Sequence, residues 1–445
     1  MASTNPSSHE SKAIDHMSAD SNITRRSFLT AAGIGAATVA VPGAAFAASA
    51  PKTQAAAPTP APVAPVSLPA STVSGDGILV LLTLYGGNDG LDTVIPASDP
   101  GYHAARTTLA YQPNQVLPLQ DGIGLHPSLK RMHALYGAGR VAVIQGAGYP
   151  NPNRSHFRSM DIWQSAVPET AEVTGWPGRW HDTTGPDPLR MVNVGASVPR
   201  AMASLKGGPA SIPNGKIQFP NGLVAGFTEQ SRLGSELGPL GARIAASGTD
   251  LLRVHEKFSS TLAAGSGAGS TNLEGGVALG YEARTALDNQ LDTVAAIIKS
   301  GAPTRVFSVS LGGFDTHASE RDQHARLLTA VDNALGRFYD KIAALPNGSK
   351  VVTMIYSEFG RRVRANLSEG TDHGTAAPMF VLGSPVKGGL LGEHPSLTQL
   401  DGNGDLIYTV DFRSVYARVL EAVLGIDAKA VIANVPTSSV RQAIF

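Results

Sequence analysis

Five short, uninterrupted apolar runs are the feature that most constrains how this chain can fold. They are ILVLLTL at residues 78–84, VAVIQG at 141–146, RVFSVSLGG at 305–313, VVTMIYS at 351–357 and MFVLG at 379–383. Such runs are typical of strands buried on both faces of a parallel sheet. Helical periodicity precedes three of them, at residues 129–136, 287–298 and 327–338. The alternation predicts an α/β fold, with a parallel sheet and helices on both faces.

Composition excludes several classes of protein and of metal site. The 445 residues include no cysteine, which excludes disulfides, thiolate metal sites and cysteine nucleophiles. Basic and acidic residues number 35 each, so no bulk positive charge attracts nucleic acid, and we expect no nucleic-acid partner. Any metal ion must therefore be held by imidazole, carboxylate, amide or hydroxyl groups.

The N-terminal segment has the pattern of an export signal. Arg25 and Arg26 precede Ser-Phe-Leu, an Ala/Gly-rich apolar run and the small-residue site Ala45-Phe46-Ala47. This order resembles a twin-arginine signal, so we expect residues 1–47 to direct export across the bacterial inner membrane to the periplasm or beyond. The export machinery is then a partner. Glycines and a proline keep the run below the ~20 residues of a membrane span, so we expect no stable span after cleavage.

Residues 48–76 are rich in proline and alanine and predict an extended linker. The folded domain is expected over residues 77–445. Within it, residues 200–276 depart from the strand–helix rhythm, with Gly- and Ser-rich stretches, and predict an inserted cap or loop-rich subdomain.

Polar residues collect after four of the apolar runs and before the fifth. The candidates for metal ligands are Asn88, Asp89, Asp315, His317, Glu358, Asp372 and His373. Because ligands of open α/β sheets bind beyond the carboxyl ends of the strands, we expect these side chains to meet at one edge. Oxygen and imidazole ligands suit zinc, manganese, magnesium or calcium, so the pattern predicts one or two divalent ions.

Each motif also has a purely structural interpretation. Asp315 is a residue type favoured at helix N-caps. His373 lies in an Asp-His-Gly sequence that suits a turn, with its imidazole bonded to a backbone carbonyl. The joint placement at strand ends, rather than any one motif, supports a metal site.

The sequence Arg154-Ser155-His156 offers a hydroxyl between a cation and an imidazole. Beside a divalent ion, Ser155 is a candidate nucleophile toward phosphorus or sulfur, with Arg154 or Arg361 stabilising the anion. The alternative is a serine that caps an Asn/Pro-rich turn. A Ser-His-Asp esterase is a third reading, but the G-x-S-x-G motif is absent around Ser155.

Together, the motifs GGNDGLDTV, NRSHF, GGFDTH, SEFGR and GTDHG resemble the family called domain of unknown function 1501 (DUF1501). That family is similar in fold to alkaline phosphatases and sulfatases, which implies an α/β/α sandwich with a metal centre at the strand ends.

The resemblance also assigns roles to individual residues. It places Asp89 or Asn88 as the ligand after the first strand and Ser155 near the nucleophile. Asp315 and His317 match an Asp…His ligand pair.

His373 matches the late histidine ligand of the superfamily, and Glu358 stands where that superfamily has an Asp-His pair. The expected function is an exported, metal-dependent hydrolase of phosphate or sulfate esters, acting on a small anionic ester or a surface polymer. The alternative is a non-catalytic binding or assembly protein of the same fold.

Overall fold

A computed structural model of the chain describes residues 68, 71–195, 197–212, 222–265 and 285–445. The predicted signal peptide, most of the predicted linker and parts of the predicted cap lie outside the described residues.

The described residues form a nine-stranded sheet and a small three-stranded sheet. The strands are β1 Ile78–Leu84, β2 Val94–Ile95, β3 Leu117–Pro118, β4 Gly124–Leu125, β5 Val141–Gly148, β6 Met191–Asn193, β7 Ala210–Ser211, β8 Val306–Leu311, β9 Val351–Tyr356, β10 Ala377–Gly383, β11 Gly389–Leu391 and β12 Val410–Asp411. The order in the large sheet is β11-β5-β10-β9-β1-β8-β6-β7, with β12 also paired to β5, and β2-β4-β3 form the small sheet. The five apolar runs thus become β1, β5, β8, β9 and β10.

One of the five predicted strands departs from the all-parallel expectation. Strands β8, β1 and β9 pair in parallel, whereas β10 is antiparallel to both β9 and β5. The chain between β9 and β10, residues 357–376, therefore stays at one edge of the sheet instead of crossing it. As a result, the loop before β10 begins at the edge where the other four strands end.

Helices cover both faces of the sheet, so the predicted α/β sandwich is confirmed. They are α1 Pro100–Ala105, α2 Lys130–Gly137, α3 His156–Ser165, α4 Trp176–Thr184, α5 Leu223–Leu233, α6 Gly238–Gly265, α7 Ala286–Lys299, α8 Glu320–Ala343, α9 Phe412–Ala422 and α10 Val440–Ala443. Helices α2, α7 and α8 pack into one apolar core, and α3, α4 and α9 pack into the other.

Strand β1 lies between these two cores, and its side chains alternate between them. Val80 and Leu82 belong to the core under α7 and α8, whereas Leu79 and Leu81 belong to the core under α9. Because successive side chains point to opposite faces of a sheet, an uninterrupted apolar run buries both faces, as the sequence of β1 predicts.

The predicted cap region contributes both to the sheet and to a helical layer. Within it, β7 pairs in parallel with β6 at the sheet edge. Helix α6 packs Val254, Phe258 and Leu262 into the core shared with α7. The interpretation of residues 200–276 as a cap or insertion remains a prediction. Among the helices of the described ranges, none has the length and apolarity required to cross a membrane.

Replacement of Leu82 by alanine should destabilise the domain strongly, because its side chain is fully buried at the centre of the sheet. A buried Leu→Ala change typically costs about 2–5 kcal/mol of unfolding free energy. Leu240→Ala, at a side chain that is 72% exposed, should change the unfolding free energy by less than about 0.5 kcal/mol. Denaturant unfolding of the two variants measures both values, and equal losses would contradict the assigned burial.

Candidate functional site

Segments from five strands of the large sheet meet at its carboxyl edge. Residues 86–89 follow β1, residues 154–156 follow β5, residues 315–317 follow β8 and residues 357–361 follow β9. Residues 372–373 precede the antiparallel strand β10 and join the same edge. The sheet topology thus brings together chain segments that are far apart in sequence.

A buried guanidinium joins these segments. The side chain of Arg361 is completely buried, and its nitrogens donate to four backbone carbonyls and to one carboxylate. The acceptors are the carbonyl oxygens of Gly86, Gly87, Phe314 and Thr371 and the Oδ1 atom of Asp315. Arg361 therefore connects the ends of β1 and β8 to the loop before β10.

The turn after β1 depends on glycine for its close approach to Asp315. Gly86 has a φ of +117°, and a Cβ atom there would lie 2.5 Å from the backbone nitrogen of Asp315. The Gly-Gly pair after β1 is thus a steric requirement of the site's backbone.

Four of these side chains form a compact group that we call the His–Asp cluster: His156, Asp315, His317 and His373. Asp315 Oδ1 lies 2.9 Å from His317 Nε2, 3.0 Å from His373 Nε2 and 3.5 Å from His156 Nε2. The Nε2 atoms of His317 and His373 are 3.1 Å apart. Three imidazole nitrogens therefore surround one carboxylate oxygen.

The other ring nitrogen of each imidazole faces a hydrogen-bond acceptor. The pairs are His156 Nδ1 with Glu358 Oε1 at 2.8 Å, His317 Nδ1 with Asp372 Oδ1 at 3.1 Å, and His373 Nδ1 with the carbonyl oxygen of Arg154 at 2.9 Å. A carboxylate or a carbonyl can only accept, so each Nδ1 must carry a proton. In the neutral rings, every Nε2 then presents a lone pair to the centre of the cluster.

The Arg361 guanidinium supplies a positive charge at the edge of the cluster, 2.7 Å from Asp315 Oδ1 and 3.5 Å from His317 Nε2, but no proton lies between the Nε2 atoms themselves. Two neutral Nε2 atoms 3.1 Å apart cannot hydrogen bond to each other, because neither carries a proton. The Nε2 atom of His156 is buried and makes no hydrogen bond with any described residue. Protonating all three rings would place three imidazolium groups beside the buried Arg361.

Hydrogen bonds shift the pKa values of two carboxylates and one imidazole in and around the cluster. Burial opposes ionisation of Asp315, but the hydrogen bond from Arg361 lowers its pKa to about 2. The hydrogen bond to His317 lowers the pKa of Asp372. The hydrogen bond to Glu358, whose side chain is buried, raises the pKa of His156.

Ser155 and Arg154 lie immediately before the cluster. Ser155 is exposed at the N-cap of α3, and its hydroxyl makes no capping hydrogen bond. The Arg154 guanidinium pairs with Asp405 and Asp401. Of the two arginines predicted to stabilise an anion, Arg154 is thus bound by carboxylates and Arg361 is buried.

Asn88 and Asp89 lie in a second group, which we call the buried acid cluster and which also contains Asp92 and Glu320. Asp89, Asp92 and Glu320 each place a carboxylate oxygen within 4.8 Å of the others, and all three are buried. Asn88 Oδ1 is 3.0 Å from the Nε2 atom of the buried His324. The structure does not bring Asn88 or Asp89 into the His–Asp cluster.

Arg106 is the cation of the buried acid cluster. Its completely buried guanidinium donates to both carboxylate oxygens of Asp89 and lies 3.6 Å from Asp92 Oδ2. Although burial opposes ionisation, Arg106 lowers the pKa of Asp89. Burial and the nearby charge of Asp89 raise the pKa of both Asp92 and Glu320.

A retained proton on Glu320 reduces the repulsion between its carboxyl group and the nearby Asp89. Glu320 Oε2 accepts a 2.6 Å hydrogen bond from Thr371, whereas its Oε1 atom has no donor among the described residues. Two ionised carboxylates cannot remain this close when buried, so one of them keeps its proton. The raised pKa assigns that proton to Glu320.

Arg106, Glu320 and His324 belong to this edge but to none of the motifs identified in the sequence. Arg106 follows α1, and the other two lie in the first turns of α8. The sequence predicts His156 as a catalytic residue beside Ser155 and not as a metal ligand. The Asn-Arg-Ser-His sequence after β5 is the feature from which the position of His156 at this edge could have been predicted.

Residues 282–439 match the model of a family described as "Protein of unknown function (DUF1501)". The predicted resemblance to DUF1501 is therefore confirmed over this segment, which contains Asp315, His317, Glu358, Asp372 and His373. No curated protein matches the sequence.

Two solved structures align with this chain at low identity. A protein in the alkaline phosphatase superfamily from Vibrio parahaemolyticus is 10% identical, with a TM-score of 0.34 over 73% of this chain and 65% of that one. Ps i-CgsB, in complex with k-i-k-neocarrahexaose, is 10% identical, with a TM-score of 0.36 over 83% of this chain and 74% of the other. The chain thus spans about two thirds of the first structure, at 65% of its length.

Glu320→Gln should make stability less dependent on pH. Because the pKa of Glu320 is raised in the folded state, unfolding releases its proton, and stability falls as pH rises above the ordinary glutamate pKa. Glutamine carries no such proton but can still donate to Asp89 and accept from Thr371. The slope of unfolding free energy against pH should become shallower by up to about 1.4 kcal/mol per pH unit.

Denaturant unfolding between pH 5 and pH 8 measures this slope. Glu393→Gln, at an exposed carboxylate, is the matched control and should leave the slope unchanged. A slope in Glu320→Gln that equals the wild-type slope would mean that Glu320 is ionised in the folded protein.

Proposed function

We propose that this chain, whose residues 282–439 match DUF1501, binds one divalent transition-metal ion at the His–Asp cluster and uses it to hydrolyse an ester. One observation carries the proposal: three imidazoles have their Nδ1 protons engaged by acceptors, and all direct Nε2 toward a single carboxylate oxygen. A metal ion bound there would accept the lone pairs of the Nε2 atoms, beside the hydrogen bond that Arg361 donates to Asp315 Oδ1.

The spacing of the donor atoms supports a metal ion rather than a proton. Zinc–nitrogen bonds of 2.0–2.1 Å place the ligand atoms of a tetrahedral site about 3.3 Å apart. Asp315 Oδ1 lies 2.9–3.5 Å from the three Nε2 atoms, and the ligand atoms of His156, Asp315 and His373 all lie within 4.8 Å of one another. The ionised Asp315, with its lowered pKa, suits such a role.

The ligand types favour some of the predicted metals over others. Magnesium and calcium prefer sites made wholly of oxygen atoms, whereas imidazole nitrogen suits zinc and other transition metals. With three nitrogens and one carboxylate, the His–Asp cluster is a site for zinc or manganese rather than for magnesium or calcium. Glu358 and Asp372 then orient the ligands instead of binding the metal themselves.

The surroundings of the cluster support a hydrolytic role. Asp315 and His317 have about half of their side-chain surface exposed, at 48% and 43%, so substrate and water can approach from solvent. A bound divalent ion would act as a Lewis acid that polarises an ester oxygen and activates water or a nearby hydroxyl. The exposed hydroxyl of Ser155, which caps no backbone group, is the nucleophile that the chain offers beside His156.

Phosphate and sulfate esters remain the proposed substrates, either small or as part of a surface polymer. We further propose that the protein reaches them after twin-arginine export, as its N-terminal pattern predicts. In this proposal Arg361 positions Asp315 and does not contact the substrate, because its side chain is buried.

The engagement of the two arginines favours a second candidate function. Arg154 is paired with two aspartates and Arg361 is buried, so neither presents a guanidinium toward a substrate anion. Four protein ligands also complete a tetrahedral shell, which is typical of structural rather than catalytic zinc. A non-catalytic binding or assembly protein with a structural metal ion accounts for the same geometry.

The protein purified without chelator should contain about one zinc or manganese ion per chain by elemental analysis. His156→Ala and His373→Ala should each lower the metal affinity by a factor of at least about 100, because each removes one direct ligand. His133→Ala is the matched control, since this exposed imidazole bonds to the Pro118 carbonyl far from the cluster.

Assays with p-nitrophenyl phosphate and p-nitrophenyl sulfate separate the two functions. Turnover that disappears in His156→Ala and falls in Ser155→Ala supports the hydrolase. A metal-loaded protein that hydrolyses neither ester supports the binding protein. If the wild-type protein binds neither zinc nor manganese, the metal site and both functions built on it are wrong.

A further inference from the structure

A short aspartate loop, residues 401–405 with the sequence DGNGD, contacts Arg154 and Arg362, which neighbour members of the carboxyl edge in sequence. Its own backbone amides fold it: Asp401 Oδ1 accepts from the nitrogens of Asn403 at 2.8 Å and of Asp405 at 2.9 Å. The side chain of Asp405 is completely buried. No motif of the sequence analysis includes this loop.

The two oxygens of Asp405 bind two different arginines. Oδ2 accepts a 2.7 Å hydrogen bond from Arg154 Nε, and Oδ1 accepts a 3.1 Å hydrogen bond from Arg362 Nε. Charge-assisted bonds of this kind are stronger and more directional than neutral ones. Asp405 therefore holds two guanidinium groups in a fixed relation to each other.

Arg154 belongs to the segment that carries the first histidine of the cluster. It lies two residues before His156, and its carbonyl oxygen accepts the proton of His373 Nδ1. Movement of the Arg154 backbone would therefore disturb two of the three imidazoles at once.

Arg362 belongs to the segment that carries the other side of the cluster. Its backbone nitrogen donates to the carbonyl oxygen of Asp372 at 2.9 Å, and the neighbouring Arg361 pairs with His373 as an antiparallel bridge. Asp372 in turn accepts from His317.

We propose that Asp405 is a positioning residue of the His–Asp cluster, which fixes the two ligand-bearing segments against each other through Arg154 and Arg362. The inference rests on the proposed metal binding and extends it beyond the residues that contact the ligands. Only an ionised carboxylate has an acceptor for each guanidinium, because asparagine would turn an NH₂ group toward one of them.

Asp405→Asn should weaken Zn²⁺ binding about 10-fold, within the range typical of residues that orient metal ligands. It should also change the visible absorption spectrum of the Co²⁺-loaded protein, because the ligand geometry changes. Competition with a chromophoric chelator measures the affinity of the apoprotein, and a thermal scan shows whether each variant is folded at the temperature of the titration.

Asp288→Asn is the matched control. Asp288 is also a buried aspartate paired with an arginine, Arg337, but its other hydrogen bonds are with Thr285 at the start of α7 rather than with the segments of the His–Asp cluster. It should lose stability without a change in Zn²⁺ affinity or in the Co²⁺ spectrum. Arg154→Met is a second test, because it keeps the backbone carbonyl that binds His373 but removes the guanidinium, and it should reproduce the weaker binding.

The outcomes separate this inference from the proposed function. Tight Zn²⁺ binding by the wild type, with about 10-fold weaker binding in Asp405→Asn and Arg154→Met alone, supports the positioning role. Equal affinity and identical spectra in the wild type, Asp405→Asn and Arg154→Met would overturn the role of Asp405 and leave the metal site intact. Absence of Zn²⁺ binding by the wild type would overturn both.

Discussion

The buried guanidinium of Arg361 is the interaction on which the carboxyl edge depends. It donates to the backbone carbonyl oxygens of two turns and, through the same guanidinium, to Asp315. A cation buried this completely is stable only when acceptors surround it. The backbone around it is therefore fixed before any ligand binds, and this fixes the position of Asp315 in the His–Asp cluster.

Two polar groups at the same edge balance their charges by different means. In the buried acid cluster, Arg106 donates to both carboxylate oxygens of Asp89, and burial and the charge of Asp89 raise the pKa of Glu320. In the His–Asp cluster, the Nδ1 protons point outward to Glu358, Asp372 and a carbonyl oxygen. Because Asp89 already binds a guanidinium, we place the proposed metal ion at the His–Asp cluster.

Much of the fold follows from the sequence because it depends on local pattern. The run at Ile78–Leu84 is apolar at every position, and only a strand buried on both faces accommodates that. The direction of β10 could not be predicted in this way. Strand direction depends on whether the preceding connection crosses the sheet, and not on the composition of the strand. The residues of Met379–Gly383 suit a parallel or an antiparallel neighbour equally well.

The site is less accessible to prediction, because its chemistry depends on orientation. Asp315, His317 and His373 are identifiable as candidates from their position near strand ends, but the role of His156 depends on which ring nitrogen faces Asp315. That choice is made by Glu358, 202 residues away in sequence. Likewise, Arg154 is an anion-binding candidate in sequence, yet its pairing with Asp405, 251 residues away, turns it into a support for the ligands. Residue types thus indicate which side chains can bind a metal, whereas partners distant in sequence determine which of them are oriented to do so.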